Sequence, residues 1–327
     1  MSVDMFAKRS QMTPLSQGVR AYVAPIDRSS GTFVAFDPAA QGQFDLNSSP
    51  PPPFIDLGWV QNFTRKSTTK YEGLRNGPHA TVSTQYRSQP EALVEFDCES
   101  WGKIQMALAG GTQEMNVLAT LRTSVPQGSG GAAIAASYAL DGSSDYSIVL
   151  DPDQMSNFAI GDLVACDFDY TGSTGYIGSG APAAYLATAL DPATHKDYTR
   201  RVTFNVSRIE SIAGNQLGLA QRLIASAQSG MGVQKVVAFV DREGGSFFQE
   251  WSALFVIPSQ TGGRICIYYP RLQACQSTSE DRRDWAAPVF NTMLHASLRA
   301  LPTTDANDGE TVLCYRSYFP SEYAAAY

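Results

Sequence analysis

The sequence predicts a mainly β protein, an antiparallel β-sandwich or barrel with one short flanking helix and a small inserted β module. Five strand-like runs follow one another between residues 232 and 320, separated by turn-rich sequences, as is typical of sandwiches and barrels. Residues 244–270 are the most apolar run and predict a central hairpin covered on both faces. Because the chain has few charged residues, we expect a neighbouring subunit to cover one of those faces.

Residues 1–53 are predicted to form an extended N-terminal arm, since they are polar, poorly patterned and end in four consecutive prolines. Two interpretations of this arm remain open: a disordered tail, or a segment that folds onto a neighbouring molecule. Residues 54–145 and 227–320 are expected to form the main β unit, and residues 321–327 a short C-terminal tail. The polar, charge-spotted residues 61–75 suit a long exposed loop or an extended hairpin.

Residues 81–87 and 92–99 show the clearest alternation with a period of two in the sequence. We expect two strands, 81–87 and 92–99, joined by a turn at Ser88, Gln89 and Pro90, with one dry face and one wet, acidic face. A helix over residues 101–109 should follow, capped by Ser100 and ended by Gly110 and Gly111. A second helix is predicted at residues 217–227.

Residues 146–226 are read as an inserted β module, with strands at 146–150, 162–170 and 201–212 around a glycine-rich loop. After this module the predicted strands are 233–241, 247–257, 264–274, 293–301 and 311–319. A charged loop is expected at residues 276–288.

The composition argues against several classes of function. The formal net charge is −7, which disfavours sequence-independent binding to DNA through a basic patch. Only 17% of the residues are charged, so the surface is either rich in uncharged polar groups or buried against partners. Five cysteines, an odd number, favour free thiols over a disulfide framework. We expect no secretory signal and no membrane span.

No catalytic or metal-binding motif stands out. The three histidines are widely separated, and neither a nucleophile elbow nor a phosphate-binding loop is present. Asp167 and Asp169 could hold a cation, but a solvated strand face explains them as well. Four tyrosines could form a stacking platform, although their strands favour a core or a subunit interface: Tyr268, Tyr269, Tyr315 and Tyr318. We therefore expect no enzyme, no cofactor and no metal.

The segment YRSQPEALVEFDCESWGKIQMALAGG, residues 86–111, combines a strand, a turn, an amphipathic strand and a helix that begins at a tryptophan and ends at two glycines. This order resembles the major tail tube proteins of long-tailed bacteriophages. The resemblance is one of pattern over residues 54–110 and 230–320, without an invariant motif, and the inserted module departs from it. It implies homohexameric rings that stack into a tube, each subunit adding strands to a β-barrel that conducts DNA during ejection. The protein would then belong to the virion tail, be assembled in the host cytoplasm and meet other tail proteins at the tube ends.

The resemblance also implies roles for particular residues. The expected lumen-facing residues are Ser83, Gln85, Glu95 and Asp97. The expected inter-ring stacking residues are Thr64, Arg65, Lys66 and Lys70, together with the N-terminal arm. The apolar pattern of the sequence, independently of the resemblance, gives the expected core or subunit-interface residues, which are Trp101, Phe247, Trp251, Phe255, Tyr268 and Tyr269. Two alternatives remain: a virion decoration or adhesion protein that binds glycan through the inserted module, and a hydrolase with an unrecognised pair of carboxylates.

Overall fold

The computed structural model describes residues 18–26, 33–48, 50–76, 81–111, 115–119, 135–167, 204–241, 249–260, 262–275, 279–286 and 289–320. These residues form a mainly β structure of antiparallel sheets, which confirms the predicted class. The strands are β1 (Val19–Pro25), β2 (Ile55–Asn76), β3 (Thr81–Cys98), β4 (Met115–Leu118), β5 (Ser137–Tyr138), β6 (Ser147–Val149), β7 (Leu163–Asp167), β8 (Val206–Ala213), β9 (Gln216–Leu219), β10 (Gly232–Val240), β11 (Glu250–Pro258), β12 (Arg264–Ala274), β13 (Ser279–Ala286), β14 (Val289–Ala300), β15 (Thr303–Thr304), β16 (Thr311–Val312) and β17 (Tyr315–Phe319). The helices are α1 (Pro38–Gln41), α2 (Lys103–Gly110) and a 3-10 helix at Pro152–Asn157.

The main sheet has the strand order β13-β14-β3-β2-β1-β11-β12-β17. The C-terminal part of β12 also pairs with β14, through Leu272 opposite Ala300 and Ala274 opposite Leu298. Hydrogen bonding therefore returns on itself through six strands, β14, β3, β2, β1, β11 and β12. The principal core lies on one face of these strands and is rich in aromatic and branched side chains, among them Val94, Phe96, Trp251, Phe255, Tyr269 and Leu298.

Part of the predicted N-terminal arm belongs to the sheet. Strand β1 lies centrally, between β2 and β11, and its residues 21–24 are completely buried. Four apolar residues between polar neighbours are too short a run to show a clear period, which is why the sequence pattern missed them. Residues 1–17 lie outside the described part of the chain.

The segment that follows β1 covers the second face of the central hairpin. Val34, Phe36, Phe44 and Leu46 pack, with Phe54, against the outward side of β1, β11 and β12. The Tyr268 hydroxyl donates a hydrogen bond to the Val34 carbonyl. The central hairpin is thus buried on both faces, as expected, but the chain covers both faces itself. The prediction that a neighbouring subunit covers one of them was wrong for the residues described here.

The predicted turn at Ser88, Gln89 and Pro90 does not form, because β3 runs through it without interruption and pairs along its length with β2. The alternative of an extended hairpin for residues 61–75 is confirmed, since they form part of β2. At the predicted turn the pairing shifts, with Thr68 opposite Glu91 and Lys70 opposite Ser88, so β3 contains one extra residue. Gln89 has φ 49° there, and a proline without an N–H is tolerated at such a bulge.

Two smaller predictions were also wrong. Residues 217–227 form β9 and irregular chain instead of a helix, with Leu217, Leu219 and Leu223 buried in one core. The charged loop 276–288 contains β13, which pairs with β14. The first predicted helix is present as α2, which ends where Gly111 adopts a left-handed conformation with φ 59°.

The smaller sheet has the order β4-β10-β7-β8-β9-β6, and β5 pairs with β10. Its own core is formed by residues such as Ile148, Leu150, Ile209 and Leu217. Strands β4, β5 and β10 lie outside the predicted bounds 146–226, so the hydrogen-bonded sheet is larger than the predicted module. Lys103 of α2 links the two sheets: its ammonium donates a 2.9 Å hydrogen bond to Asn116 and lies 4.7 Å from the Phe204 ring centre.

Candidate functional site

The most distinctive surface is the distal part of the β2–β3 hairpin, residues 66–76 and 81–91, which we call the hairpin arm. Its described side chains are exposed, except for the half-buried Thr69 and Ser88. Four large apolar side chains are among the exposed ones: Tyr71 at 56%, Leu74 at 56%, Val82 at 54% and Tyr86 at 46%. A monomer gains nothing from exposing so much apolar area on an extended element.

One face of the hairpin arm is linked by its own hydrogen bonds. The Glu72 carboxylate accepts a 2.7 Å bond from the Tyr86 hydroxyl and a 3.1 Å bond from the Ser88 hydroxyl. The bond to Glu72 raises the pKa of Tyr86 above its ordinary value, because it stabilises the protonated phenol. Lys66, Lys70 and Leu74 share this face by the alternation of β2.

The opposite face, which we call the basic face, carries Tyr71, Arg75, Val82, Gln85 and Arg87. The register fixes this grouping, since Tyr71 pairs with Arg87, and Arg75 pairs with Val82. A Cβ added at Gly73 would lie 2.9 Å from Val82 Cγ1, so these two residues also share a side. The face has two guanidinium groups and no carboxylate, and neither arginine has a hydrogen-bond or ion-pair partner among the described residues.

The predicted stacking residues lie along β2, but they differ in exposure and contacts. Thr64, Lys66 and Lys70 are exposed, as stacking residues should be. Arg65 is half-buried and points toward the principal core, where it donates a 2.7 Å hydrogen bond to the Tyr269 hydroxyl and a 3.3 Å bond to Cys314 Sγ. Arg65 is therefore tied to the core of its own subunit.

The predicted lumen residues do not share one exposed face. The bulge at Gln89 reverses the side on which β3 residues lie, so Gln85 is on the face opposite to Glu95 and Asp97. Ser83 is at a second register shift and donates to the Leu74 carbonyl. The expectation of a single wet wall assumed an unbroken period of two, which the bulge removes.

Asp97 is 5% exposed, so it does not contribute to a wet surface of this chain. Its carboxylate lies 2.8 Å from His295 Nδ1 and accepts a hydrogen bond from the Asn62 side chain. Glu95 is half-buried and accepts a 3.3 Å bond from the Ser297 hydroxyl. Burial of a charged carboxylate is tolerated where such partners surround it, and here they connect β2, β3 and β14.

The predicted core or interface residues separate into three groups. Trp251, Phe255 and Tyr269 are fully buried and Tyr268 is 4% exposed, all inside this chain. Trp101 is 46% exposed and precedes α2, so it is not a core residue of this chain, and its place in a subunit interface stays a prediction. Phe247 lies outside the described residues.

Burial also governs the titration of the core. It raises the pKa of the Tyr269 hydroxyl to about 12, the nearby Cys314 adds to this, and Arg65 opposes it. It likewise raises the pKa of the Cys98 thiol to about 12 and that of Cys266 to about 11. Thiols that stay protonated react slowly. All five cysteines are free; Cys98, Cys166 and Cys266 are buried as small apolar groups, whereas Cys275 and Cys314 are half-buried.

A cleft of about 890 Å³ lies between the main sheet and the smaller sheet. It is lined by cationic side chains together with exposed aromatic ones: Arg20, Lys103, Arg208, Arg222, Trp101 and Tyr146. Most of these cations already have partners, since Arg20 binds Asp56 through two hydrogen bonds and Arg222 pairs with Asp145. The cleft is consequently positive but not strongly so.

Within the described ranges, no three His, Cys, Asp or Glu side chains are grouped so that they could hold a metal ion. The described helices are all too short or too polar to cross a membrane. No protein-family model matches this sequence, and no curated protein matches it significantly.

Sequence reasoning missed the basic face and the Asp97–His295 pair. The basic face depends on a one-residue bulge in β3, and the Asp97–His295 pair depends on contact between residues 198 positions apart. The local hint of the bulge in the sequence is Pro90, which has no N–H to donate to a strand ladder.

Proposed function

We propose that this protein is a structural subunit that assembles with copies of itself into stacked rings, forming a virion tail tube that conducts DNA. The observation that carries the proposal is the exposed hairpin arm. The pattern-level resemblance of residues 54–110 and 230–320 to phage tail tube proteins points to the same role, and it supplies the hexameric ring and the β-barrel lumen.

The contacts within the hairpin arm are not sufficient to stabilise it. An isolated two-stranded ribbon is marginal in water, and this one has no third strand or helix packed on either face among the described residues. Eleven residues of β2, from Lys66 to Asn76, span about 36 Å at the usual rise per residue of a strand. That length is sufficient to reach well onto an adjacent subunit, whose surface would cover the exposed apolar side chains.

The rest of the main sheet offers contacts within a ring. Its order ends at β13 and β17, and the outer edge of each has no partner strand in the described chain. Unpaired edges are templates for pairing with another chain. Lateral addition of subunits at these edges, combined with axial contact through the hairpin arm, generates stacked rings.

The charge suits a conduit. The net charge of −7 repels the phosphate backbone, so a duplex can slide without being held. Asp97 takes no part in this repulsion because it is buried, and we assign it a structural role instead.

The test is to remove the hairpin arm without disturbing the sheet. A variant that joins Ser67 to Ala92, which face each other in the register, through Asn-Gly would keep a tight hairpin. We expect wild-type protein to form rings or tubes by negative-stain electron microscopy and sedimentation velocity. The shortened variant should remain monomeric with an unchanged circular dichroism spectrum. A wild-type protein that stays monomeric at high concentration, or a folded shortened variant that assembles normally, would contradict the proposal.

The alternative is a decoration or adhesion protein that binds glycan. One observation favours it: Trp101 and Tyr146 line the cleft and are 46% and 48% exposed, as stacking residues for sugars are. A glycan-binding function does not explain the exposed apolar side chains of the hairpin arm. Binding of the wild-type chain to a glycan array, lost in Trp101→Ala and Tyr146→Ala, together with a monomeric state, would favour this alternative.

A further inference from the structure

The surface of the smaller sheet is acidic, and its charge is opposite to that of the hairpin arm. Residues 135–167 and 204–241 contain eight carboxylates and three basic residues. This excess of five carboxylates accounts for most of the net charge of the chain, which is −7. The hairpin arm has four basic residues and two carboxylates, and its basic face has two arginines and no acid.

One region of the smaller sheet combines negative charge with exposed apolar area. Tyr138 and Leu140 are 48% and 39% exposed, and Asp141 follows directly in a turn whose Leu140 N–H donates to the Val149 carbonyl. Asp151 and Asp153 follow β6, the strand that ends at Val149. The Tyr138 N–H donates a hydrogen bond to the Gln154 side chain, in the 3-10 helix that Asp151 caps. We call these five residues, Tyr138, Leu140, Asp141, Asp151 and Asp153, the acidic patch.

We infer that the basic face of the hairpin arm docks on the acidic patch of a second copy of this chain. The two surfaces match in kind: Tyr71 and Val82 lie beside Arg75 and Arg87 on the hairpin arm, and an aromatic and an aliphatic residue lie beside three carboxylates on the patch. No described cation lies within ion-pair distance of Asp141, Asp151 or Asp153. The inference rests on the proposed function, because the partner is another subunit.

The cleft between the two sheets is another surface that could receive the hairpin arm, and it is the poorer acceptor. Its lining carries Arg20, Lys103, Arg208 and Arg222 against a single carboxylate, Asp56. Like charges placed opposite each other across an interface oppose association. Charge therefore selects the acidic patch, and the smaller sheet becomes the receiving surface for the hairpin arm.

The experiment is a charge exchange. Arg75→Glu with Arg87→Glu, and separately Asp141→Lys with Asp153→Lys, should each raise the protein concentration needed for assembly at least about tenfold in sedimentation velocity. Asp151 is left unchanged because it caps the 3-10 helix. A chain that carries all four substitutions should assemble again, since the four exchanged charges then attract each other with the opposite polarity.

The matched control is Lys66→Glu with Lys70→Glu, which makes the same charge change on the other face of the hairpin arm. Because the inference places the contact on the basic face, it replaces the expectation that Lys66 and Lys70 are stacking residues, and this variant should change the required concentration less than about twofold. Circular dichroism checks the fold of each variant. If wild type forms tubes but the four-fold variant does not recover, the inference is wrong and the proposed function stands. If wild type never assembles, both are wrong. If Arg75→Glu with Arg87→Glu assembles normally but loses binding to a DNA duplex, the basic face serves nucleic acid and the inference is wrong.

Discussion

The molecule contains two long antiparallel hairpins of opposite character. In the hairpin of β11 and β12, Trp251, Phe255 and Tyr269 are fully buried, and the chain covers both of its faces. In the hairpin arm, Tyr71 and Leu74 are more than half exposed, and no described element covers either face. Similar apolar and aromatic residues thus stabilise the fold in one region, and in the other they remain exposed and can contact a partner. The first hairpin is complete within a monomer, whereas the second requires a partner.

The largest expected effect comes from making the same substitution in both hairpins. Tyr269→Ala should lower the free energy of unfolding by about 3–5 kcal/mol, because it opens a cavity in the principal core and leaves Arg65 without its phenolic acceptor. Tyr71→Ala should change it by less than about 0.5 kcal/mol, since the side chain is exposed in the monomer. Urea unfolding of monomeric protein measures both. Equal losses at the two positions would show that the hairpin arm also belongs to the folded core.

A second test asks whether the chain covers its own central hairpin. Phe36 is 7% exposed and packs edge-on against Phe54, so Phe36→Ala should cost about 3 kcal/mol of unfolding free energy. Phe33, at 39% exposure, is the matched control, and Phe33→Ala should cost less than about 1 kcal/mol. The comparison is made below the concentration of assembly. A negligible loss for Phe36→Ala in the monomer would mean that another molecule covers this face.

The smallest effect concerns the Tyr269 hydroxyl alone. Tyr269→Phe should cost about 1–2 kcal/mol at neutral pH through the lost hydrogen bond with Arg65. Burial raises the pKa of Tyr269 to about 12, above the value near 10 of an unfolded tyrosine. Between these pH values the unfolded chain loses the proton first, so unfolding becomes easier as the pH rises.

In Tyr269→Phe the part of this decrease in the free energy of unfolding that comes from the Tyr269 phenol should be absent. The difference in free energy of unfolding between wild type and variant should therefore narrow from pH 9 to pH 11. Thermal unfolding at the two pH values measures it. A difference that widens with pH would contradict the assigned burial of this phenol.

The sequence was most informative where apolar residues are dense. The ends of β11 and β12 lie close to the predicted ones because their interior is apolar on both faces and turn residues separate them. The helix α2 was recognisable from the two glycines at its end. These signals are local, and the fold class follows from them.

Other features depend on contacts that are distant in sequence. Strand β1 is short and became a central strand only because β2 and β11 flank it. Ser88, Gln89 and Pro90 have the composition of a turn, yet the pairing with β2 over the whole of β3 prevailed. Residues 61–75 were foreseen as an exposed loop or an extended hairpin, but residues 81–87 were assigned to a different hairpin, and which face of the hairpin arm is basic could not be predicted without the register.

The extra residue at Gln89 sets the direction in which the hairpin arm presents its charges. Upstream of it, Arg87 and Gln85 lie on the side that continues the core-facing row of Ala92 and Val94, whereas an uninterrupted β3 would turn them toward the row of Glu95 and Asp97. A single inserted or deleted residue at this point would thus turn the docking surface by half a revolution about the strand axis while every side chain kept its identity. The number of residues at this point of β3 therefore determines which face of the hairpin arm one copy presents to the next. A change in that number would change the relative orientation of the two copies.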